Sequence, residues 1–352
     1  MAQGPAHPLL SLPDDEIIPK LRKMSNEEIL KFSLISERCK DLVKSIQMEG
    51  ISLTVSVRNE ITISIESASS NSVFRYYTEP DMYWGTGAYG RKKRLTKPQS
   101  VLVDVTIYDE SEYIDETRYE DTKELEKVNF ELEKRDFSMQ NWLDHLQQIF
   151  DYPKIDSILF STNSSEFDID DIKEVFRNAL EIRIEDTGCY DFNQLILQKF
   201  SLIETLEIGT SDFRNSKIPD NILMVNFTEL HIREREEDTK TSMKLNDMLL
   251  INSKEIGIVC YHMSAQRLNK FLKLWQKGSN SNMEYFAIYY HGENELDNEI
   301  IMKGIKHRPF RGGADIVRMD GVKATILIKE RAFLAVEMYV CLVRSLCRGI
   351  LI

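Results

Sequence analysis

The chain has 352 residues, of which 42% are hydrophobic and 29% are charged, and its formal net charge is -12. This composition is typical of a soluble globular protein with enough apolar residues for two or three domains. A negative net charge disfavours general binding to nucleic acid, because a duplex is itself a dense polyanion. We therefore predict no nucleic-acid partner.

The cysteines and the apolar tail bear on the cellular compartment. Five cysteines are scattered along the chain without a C-x-x-C pair, which is typical of reduced thiols in the cytoplasm or nucleus. The longest apolar run, residues 332–352, is interrupted by Glu337, Arg344 and Arg348. Because charges at the centre of a bilayer are costly, we predict a buried strand followed by a tail at residues 341–352, and no membrane partner.

Residues 8–49 predict three short helices with more apolar surface than they can bury among themselves. The S-x-x-E pattern of residues 25–28 is a capping box, which marks the start of the second helix. The third helix, residues 37–46, carries apolar residues along one face and charged residues along the other. The surplus apolar surface implies either a partner or a tight junction with the next domain.

The first of these helices contains a proline. Acidic residues follow Pro13, and carboxylates are favourable in the first turn because they meet the positive end of the helix dipole. A proline is tolerated in the first turn, where its missing N–H would have no intrahelical partner. We therefore expect the helix to begin near Asp15 and Pro19 to lie in its first turn.

Residues 12–18 read LPDDEII and residues 27–46 read EEILKFSLISERCKDLVKSI. The Leu-Pro opening, the aliphatic first helix and the leucine-rich second helix resemble an F-box. The resemblance implies docking on the Skp adaptor of a cullin-based ubiquitin ligase. The residues that it assigns to this contact are Leu12, Pro13, Ile17, Ile18, Leu21, Ile29, Leu30, Leu34 and Ile35. The alternative is three small helices that pack on their own domain.

Residues 50–136 predict a β-rich connector, because aliphatic residues alternate with polar ones. The strands that we predict are residues 51–57, 61–65, 73–77 and 101–107. Nine of the eighteen residues in the stretch 109–126 are Asp or Glu, which is typical of a solvated segment.

Residues 78–100 predict a flexible loop. They include the pattern G-x-G-x-x-G at residues 85–90 and a basic cluster after it. A dinucleotide site needs a strand before the glycines and a helix after them, and neither pattern is present. The HRD and DFG motifs that a kinase would need are absent as well. We predict no cofactor, and a nucleotide-dependent enzyme is the least favoured hypothesis.

Residues 137–300 alternate between strand-like and helix-like segments. Four aliphatic residues recur every 24 positions, and longer steps lead to Ile256 and Phe286; the four are Ile158, Ile182, Leu206 and Leu230. A period in the twenties, with one strand and one helix in each unit, is typical of a leucine-rich-repeat-like solenoid. An ordinary α/β sheet is the alternative, since parallel strands need crossover helices in both cases.

Residues 268–280, LNKFLKLWQKGSN, are similar to the helix and turn of the F-box-associated domain of a large nematode F-box family. In that family this domain follows the F-box after a β-rich segment, which is the order here. We predict that the helix buries one apolar stripe and ends at Gly278. The stripe comprises Leu268, Phe271, Leu272 and Trp275.

Residues 301–340 predict C-terminal strands. The D-G pair at residues 320–321 indicates a hairpin turn between residues 316–317 and residues 324–328. A last strand is expected at residues 333–340.

No catalytic or metal-ligating pattern is present in the sequence, since the six histidines are isolated and neither H-E-x-x-H nor G-x-S-x-G occurs. The predicted fold is α/β: a three-helix F-box, a β-rich connector, and a leucine-rich-repeat-like strand–helix solenoid with a C-terminal β-hairpin. We expect a non-catalytic substrate-recognition adaptor that binds a Skp-type adaptor and recruits a target protein, not identifiable from the sequence, for ubiquitination. The alternative is a protein-binding scaffold with no ligase role.

Overall fold

The computed structural model describes residues 8–67, 70–76, 92–95, 97–98, 100–108, 124–235, 243–291, 297–330 and 334–341. The chain divides into two compact units, residues 1–179 and residues 180–352. Both units combine helices with a β-sheet, so the predicted α/β class is confirmed.

The first unit opens with the three predicted helices, which are α1 (Asp14–Leu21), α2 (Asn26–Ser33) and α3 (Glu37–Ser45). The predicted capping box is present, because Glu28 N donates to Ser25 Oγ and the Glu28 side chain accepts from Ser25 N. The helices bury a small common core, formed by Ile17, Leu21, Ile29, Leu30, Phe32, Cys39, Leu42 and Val43.

The position of Pro19 differs from the expectation. Helix α1 begins at Asp14 with Pro13 as its N-cap, so Pro19 is the sixth residue and lies in the second turn. At that position the missing N–H removes one bond to the carbonyl of Asp15. The helix resumes at once, because Arg22 N donates to Ile18 O at 3.2 Å. The prediction that Pro19 occupies the first turn was wrong.

A six-stranded sheet forms the body of the first unit. Its elements in chain order are β1 (Gly50–Val57), β2 (Ile61–Ser67), β3 (Ser70–Tyr76), β4 (Ser100–Tyr108), β5 (Glu124–Glu133), α4 (Met139–Ile149), β6 (Ile155–Phe160) and α5 (Ile169–Val175). The strands are ordered β6-β1-β2-β3-β4-β5. All neighbours are antiparallel except β1 and β6, which are parallel. The boundary that we predicted between the β-rich connector (residues 50–136) and the strand–helix region (residues 137–300) therefore falls inside this unit.

Strand β5 was not predicted from the sequence. It starts within the acidic stretch 109–126, whose residues 109–123 lie outside the described part of the chain. Phe130 and Leu132 are buried, while Glu126 and Glu131 are exposed. The exposed Glu131 and Glu133 alternate with these two buried residues, so they lie on the solvent-facing side of β5.

The described end of the predicted loop 78–100 is tied to the start of α5. Lys93 N donates to Glu166 O at 2.7 Å, and Asp168 N donates to Lys93 O at 2.8 Å. Arg94 forms an ion pair with Asp171 at 2.7 Å. The glycines of the G-x-G-x-x-G pattern lie outside the described residues.

Helix α4 joins the N-terminal helices to the sheet. Trp142 is fully buried, and its ring meets that of Tyr76 at a centroid distance of 6.1 Å. On the same helix His145 Nε2 lies 2.9 Å from Ser33 Oγ of α2. The three helices are therefore packed on their own unit through one face.

His145 should make the stability of the first unit depend on pH. Burial, with a contribution from the Lys40 ammonium, lowers the pKa of His145 from its ordinary value of 6.5 to about 4. Between these values the unfolded chain binds a proton that the folded chain does not. The free energy of unfolding should therefore fall as the pH falls from 6.5 to about 4, by about 3 kcal/mol at most.

Urea unfolding of the parent and of His145→Gln, at neutral pH and near pH 4.5, measures this effect. The amide keeps a hydrogen-bonding group beside Ser33 but does not titrate. We expect the parent to lose more stability than the variant on acidification, since the other titrating groups are common to both proteins. An equal loss in the two proteins would contradict the assignment.

The second unit contains a mixed sheet flanked by helices. Its elements in chain order are β7 (Ala179–Ile184), α6 (Tyr190–Lys199), β8 (Thr205–Gly209), α7 (Asp220–Leu223), β9 (Glu229–Arg233), α8 (Leu245–Leu250), β10 (Glu255–Cys260), α9 (Ala265–Gln276), β11 (Tyr285–Tyr290), α10 (Asn298–Met302), β12 (His307–Phe310), β13 (Gly313–Val317), β14 (Lys323–Glu330) and β15 (Leu334–Cys341). The strands are ordered β12-β13-β14-β15-β11-β10-β9-β8-β7. Strands β7 to β11 are mutually parallel, and β12 to β15 continue the sheet in antiparallel pairing.

The predicted repeat positions lie side by side in the parallel strands. In register across β7 to β11 are Ile182, Leu206, Leu230, Ile256 and Phe286. All five are buried. Ile158, at the head of the sequence series, belongs to β6 of the first unit. The leucine-rich-repeat-like solenoid stays an interpretation of this parallel ladder.

Two predicted details of the second unit are present. Helix α9 buries its whole predicted stripe, and Gly278 follows the helix with a φ of 106°, a backbone conformation that favours glycine. The D-G hairpin closes where Arg318 N donates to Val322 O at 2.8 Å and Val317 pairs with Lys323. Residues 342–352 of the predicted tail are outside the described chain.

Candidate functional site

The nine residues assigned to the Skp adaptor divide into core and surface. Four of them are at most 6% exposed and belong to the core of the three helices, namely Ile17, Leu21, Ile29 and Leu30. The other five are half-buried or exposed, namely Leu12, Pro13, Ile18, Leu34 and Ile35. We call these five the N-terminal apolar surface.

Helix α2 packs on the rest of the first unit through side chains that do not belong to the N-terminal apolar surface. Ser33 meets His145, and the Lys31 ammonium lies 5.9 Å from the centre of the Phe130 ring. Lys134 Nζ donates to Leu34 O at 2.7 Å, which fixes the end of α2 while the Leu34 side chain stays half-buried. Part of the predicted apolar surplus is therefore used within the unit, and Ile35, which is 46% exposed, is left for other contacts.

The second unit offers a sheet face on the side opposite the buried repeat positions. Side chains alternate across a strand, so the neighbours of each buried residue share this other face. Most of these residues are at least partly accessible, with side-chain exposures of 46% for Arg183 and 44% for His231, whereas Gly257, Ala287 and Glu337 are buried. We call this the open face, and it comprises Glu181, Arg183, Glu185, Thr205, Glu207, Glu229, His231, Arg233, Glu255, Gly257, Val259, Tyr285, Ala287, Tyr289, Glu337 and Tyr339.

A groove of about 380 Å³ runs across the open face. Its floor includes Gly257, over which the imidazole of His231 lies. A Cβ atom at Gly257 would be 2.6 Å from His231 Nδ1, so the absence of a side chain there lets the ring lie flat against the sheet. Tyr289 and Val259 also line the groove.

Negatively charged side chains outnumber positively charged ones on the open face. Arg183 Nε lies 3.0 Å from Glu181 and 3.2 Å from Glu207. Arg233 Nε lies 3.1 Å from Glu207, and its terminal nitrogen lies 2.5 Å from Glu185. Along β7 to β10 five carboxylates therefore face two guanidinium groups, and the carboxylates are Glu181, Glu185, Glu207, Glu229 and Glu255.

The surplus negative charge is concentrated near the start of β10. Burial raises the pKa of Glu255, and the neighbouring carboxylates of Glu229 and Glu284 raise it further. The positive charges that face Glu255 are those of Lys254 and, when it is protonated, His231, and both lower this pKa. Like charges at this site thus disfavour ionisation of Glu255 in the free protein.

Three tyrosines stand beside these carboxylates. The rings of Tyr285 and Tyr339 lie 5.0 Å apart, and Tyr289 follows on the same face of β11. Tyr339 O–H donates to Glu337 at 2.7 Å, and Lys329 Nζ lies 2.8 Å from the same carboxylate. Burial and the Glu337 carboxylate raise the pKa of Tyr339 to about 12, so the phenol is uncharged at neutral pH.

A second cavity of about 490 Å³ lies at the carboxyl ends of β7 to β9. Burial raises the pKa of Asp212 there to about 6, although its carboxylate accepts bonds from Gly209 N at 2.8 Å and Asp186 N at 3.1 Å. The bond from Gly209 closes the turn after β8, and the bond from Asp186 ties that turn to the segment that follows β7. Within the described ranges no three His, Cys, Asp or Glu side chains are grouped so that they could hold a metal ion. None of the helices in those ranges is both long and apolar enough to cross a membrane.

Residues 218–288 match the F-box-associated family model. This range contains α7, β9, α8, β10, α9 and most of β11, and with them Glu229, His231, Glu255 and Tyr285 of the open face. It also contains the segment 268–280 on which the predicted resemblance depends. The N-terminal helices lie outside the matched range.

The chain is also similar to the F-box associated domain-containing protein sdz-33 of Caenorhabditis elegans. The two are 23% identical over 153 residues, which are 43% of this chain and 45% of the relative. The chain therefore spans less than half the length of that protein. No solved structure matches the chain.

Sequence reasoning did not single out the open face. Its signal was present, because Glu181 and Arg183 flank Ile182, and Glu229 and His231 flank Leu230. Polar residues at alternate strand positions indicate a solvated face. The pattern alone does not distinguish a face that binds a partner from one that contacts only solvent.

Proposed function

We propose that this chain is a non-catalytic substrate-recognition adaptor. The observation that carries the proposal is the match of residues 218–288 to the F-box-associated family, downstream of a three-helix unit with a Leu-Pro start. In this proposal the N-terminal apolar surface binds a Skp-type adaptor and, through it, a cullin ubiquitin ligase. The second unit holds the target protein, and the chain acts in the cytoplasm or nucleus.

The chemistry of such a protein is proximity. Holding a target near an enzyme charged with ubiquitin raises the local concentration of the target lysine, as linked binding sites do in general. No side chain of this chain has to react. The proposal therefore needs two separate binding surfaces, and the N-terminal apolar surface and the open face are the candidates.

Mixing the purified full chain with a purified Skp adaptor tests the proposal. We expect a complex that survives size-exclusion chromatography. The double variant Leu12→Asp, Pro13→Ala should lose it, because an unpaired charge at an apolar interface is costly to bury. Absence of a complex with the intact, folded chain would overturn the ligase role. The remaining hypothesis would then be a protein-binding scaffold with no ligase role.

A further inference from the structure

We infer that the open face of the second unit binds an extended, lysine- and arginine-bearing segment of a partner protein. The inference deepens the proposed function and rests on it only for the role of that partner as a recruitment target. The binding chemistry itself is argued from the charges, rings and shape of the face.

The charge of the face selects a cation. The two guanidinium groups of β7 to β9 are already held by carboxylates at 2.5 to 3.2 Å. Glu229 and Glu255 lie side by side in β9 and β10 and have no arginine between them. A lysine or arginine placed between these carboxylates would relieve their repulsion, whereas a phosphate or an acidic segment would add to it. Nucleic acid is disfavoured for the same reason.

The tyrosines favour the same ligand. Tyr285 pairs with Glu255 across neighbouring strands, and Tyr339 pairs with Tyr285. A row of carboxylate, phenol and phenol therefore crosses the sheet. A side chain with an aliphatic stem and a cationic head can lay the stem on the rings and the head on the carboxylate, which adds a cation–π attraction to the ion pair.

The shape of the face suits an extended segment. Gly257 has no side chain, so the His231 ring lies flat against the sheet there, and the groove is lined by His231, Val259 and Tyr289. Every second side chain of an extended segment points to one side. Such a segment can therefore direct successive basic residues to the row of carboxylates while its backbone stays above the floor.

The test uses the folded full chain and fluorescein-labelled peptides of about ten residues in which Lys or Arg alternates with Ser, so that one side of the extended peptide is basic. A matched peptide carries Glu in place of each basic residue. Fluorescence anisotropy measures the dissociation constants. We expect the basic peptide to bind and the acidic peptide not to bind.

The double variant Glu229→Gln, Glu255→Gln should weaken binding of the basic peptide at least tenfold. The control is Asp220→Asn, Glu299→Gln, which removes two exposed carboxylates from helices α7 and α10 of the same unit. It changes the net charge equally, so a general attraction of the basic peptide to an acidic protein would affect both variants alike. We expect the control to bind as the parent does.

Two results would overturn the inference: no binding of the basic peptide to the parent, or equal binding to the two double variants. A third variant, Tyr289→Ser, keeps the charge of the groove and removes a ring that lines it, so it should also weaken binding. Because no Skp adaptor is present in the assay, its failure leaves the adaptor proposal untouched. A failure of adaptor binding would equally leave the peptide result standing.

Discussion

Replacement of Trp275 by alanine is expected to lower the free energy of unfolding of the second unit by about 3–5 kcal/mol. Trp275 is the last large residue of the apolar stripe of α9 and is fully buried. The Arg318 guanidinium lies 5.3 Å from the centre of its ring, so the substitution would remove this contact as well as opening a large cavity. Trp275→Phe should cost less, because most of the ring remains.

Chemical denaturation followed by circular dichroism measures this effect. The matched control is Leu202→Ala in the same unit, since the side chain of Leu202 is 92% exposed. Its removal should change the stability by no more than about 0.5 kcal/mol. Similar losses for the two variants would contradict the placement of Trp275 in the core. Binding of the basic peptide should survive in the control and disappear with unfolding in Trp275→Ala.

The repeat along the second unit was predictable because one physical pattern produces it. Each strand needs one aliphatic residue at its centre to contact the helix layer, and a constant length of strand, helix and turns spaces these residues evenly. Leu206 and Leu230 therefore reveal the parallel ladder without any structural knowledge. The longer steps to Ile256 and Phe286 reflect longer connections, and the register of the strands is kept.

Strand β5 and the position of Pro19 were not predictable by the same means. Half of β5 is charged, and its inward residues become core only because β4 lies beside it, which is a contact distant in sequence. Pro19 was expected where its missing N–H has no cost. The helix begins earlier and keeps Pro19 in its second turn, and the flanking Ile17 and Leu21 remain fully buried. Packing of these residues outweighs the lost hydrogen bond.

Apolar residues in a short helix do not reveal which of them face a partner. The same periodicity places Ile17 and Leu21 in the core and leaves Ile18 half-buried at the surface. A resemblance to a family indicates which positions correspond, but it does not indicate how exposed each side chain is. It therefore assigned all nine residues to one contact. The structure separates them, and this separation makes the adaptor proposal testable without disturbing the fold.

Ile35→Asp is therefore expected to weaken binding to a Skp adaptor about a hundredfold or more, since burying a charge at an apolar interface costs several kcal/mol and about 1.4 kcal/mol corresponds to a factor of ten. Ile35 follows α2, where its N–H donates to Phe32 O at 3.1 Å. That backbone bond is independent of the side chain. The free energy of unfolding should change little, because the side chain is 46% exposed in the free chain.

The matched control is Ile51→Asp, which introduces the same charge at an isoleucine that is 52% exposed on β1 of the same unit. Calorimetric titration with the adaptor should show an unchanged dissociation constant for this control. Ile17→Ala provides the opposite case, since it should lose stability by about 2–5 kcal/mol and lose binding only through unfolding. If Ile35→Asp binds as tightly as Ile51→Asp, the N-terminal apolar surface is not the adaptor site, because a charge at its most exposed aliphatic residue would then meet no partner.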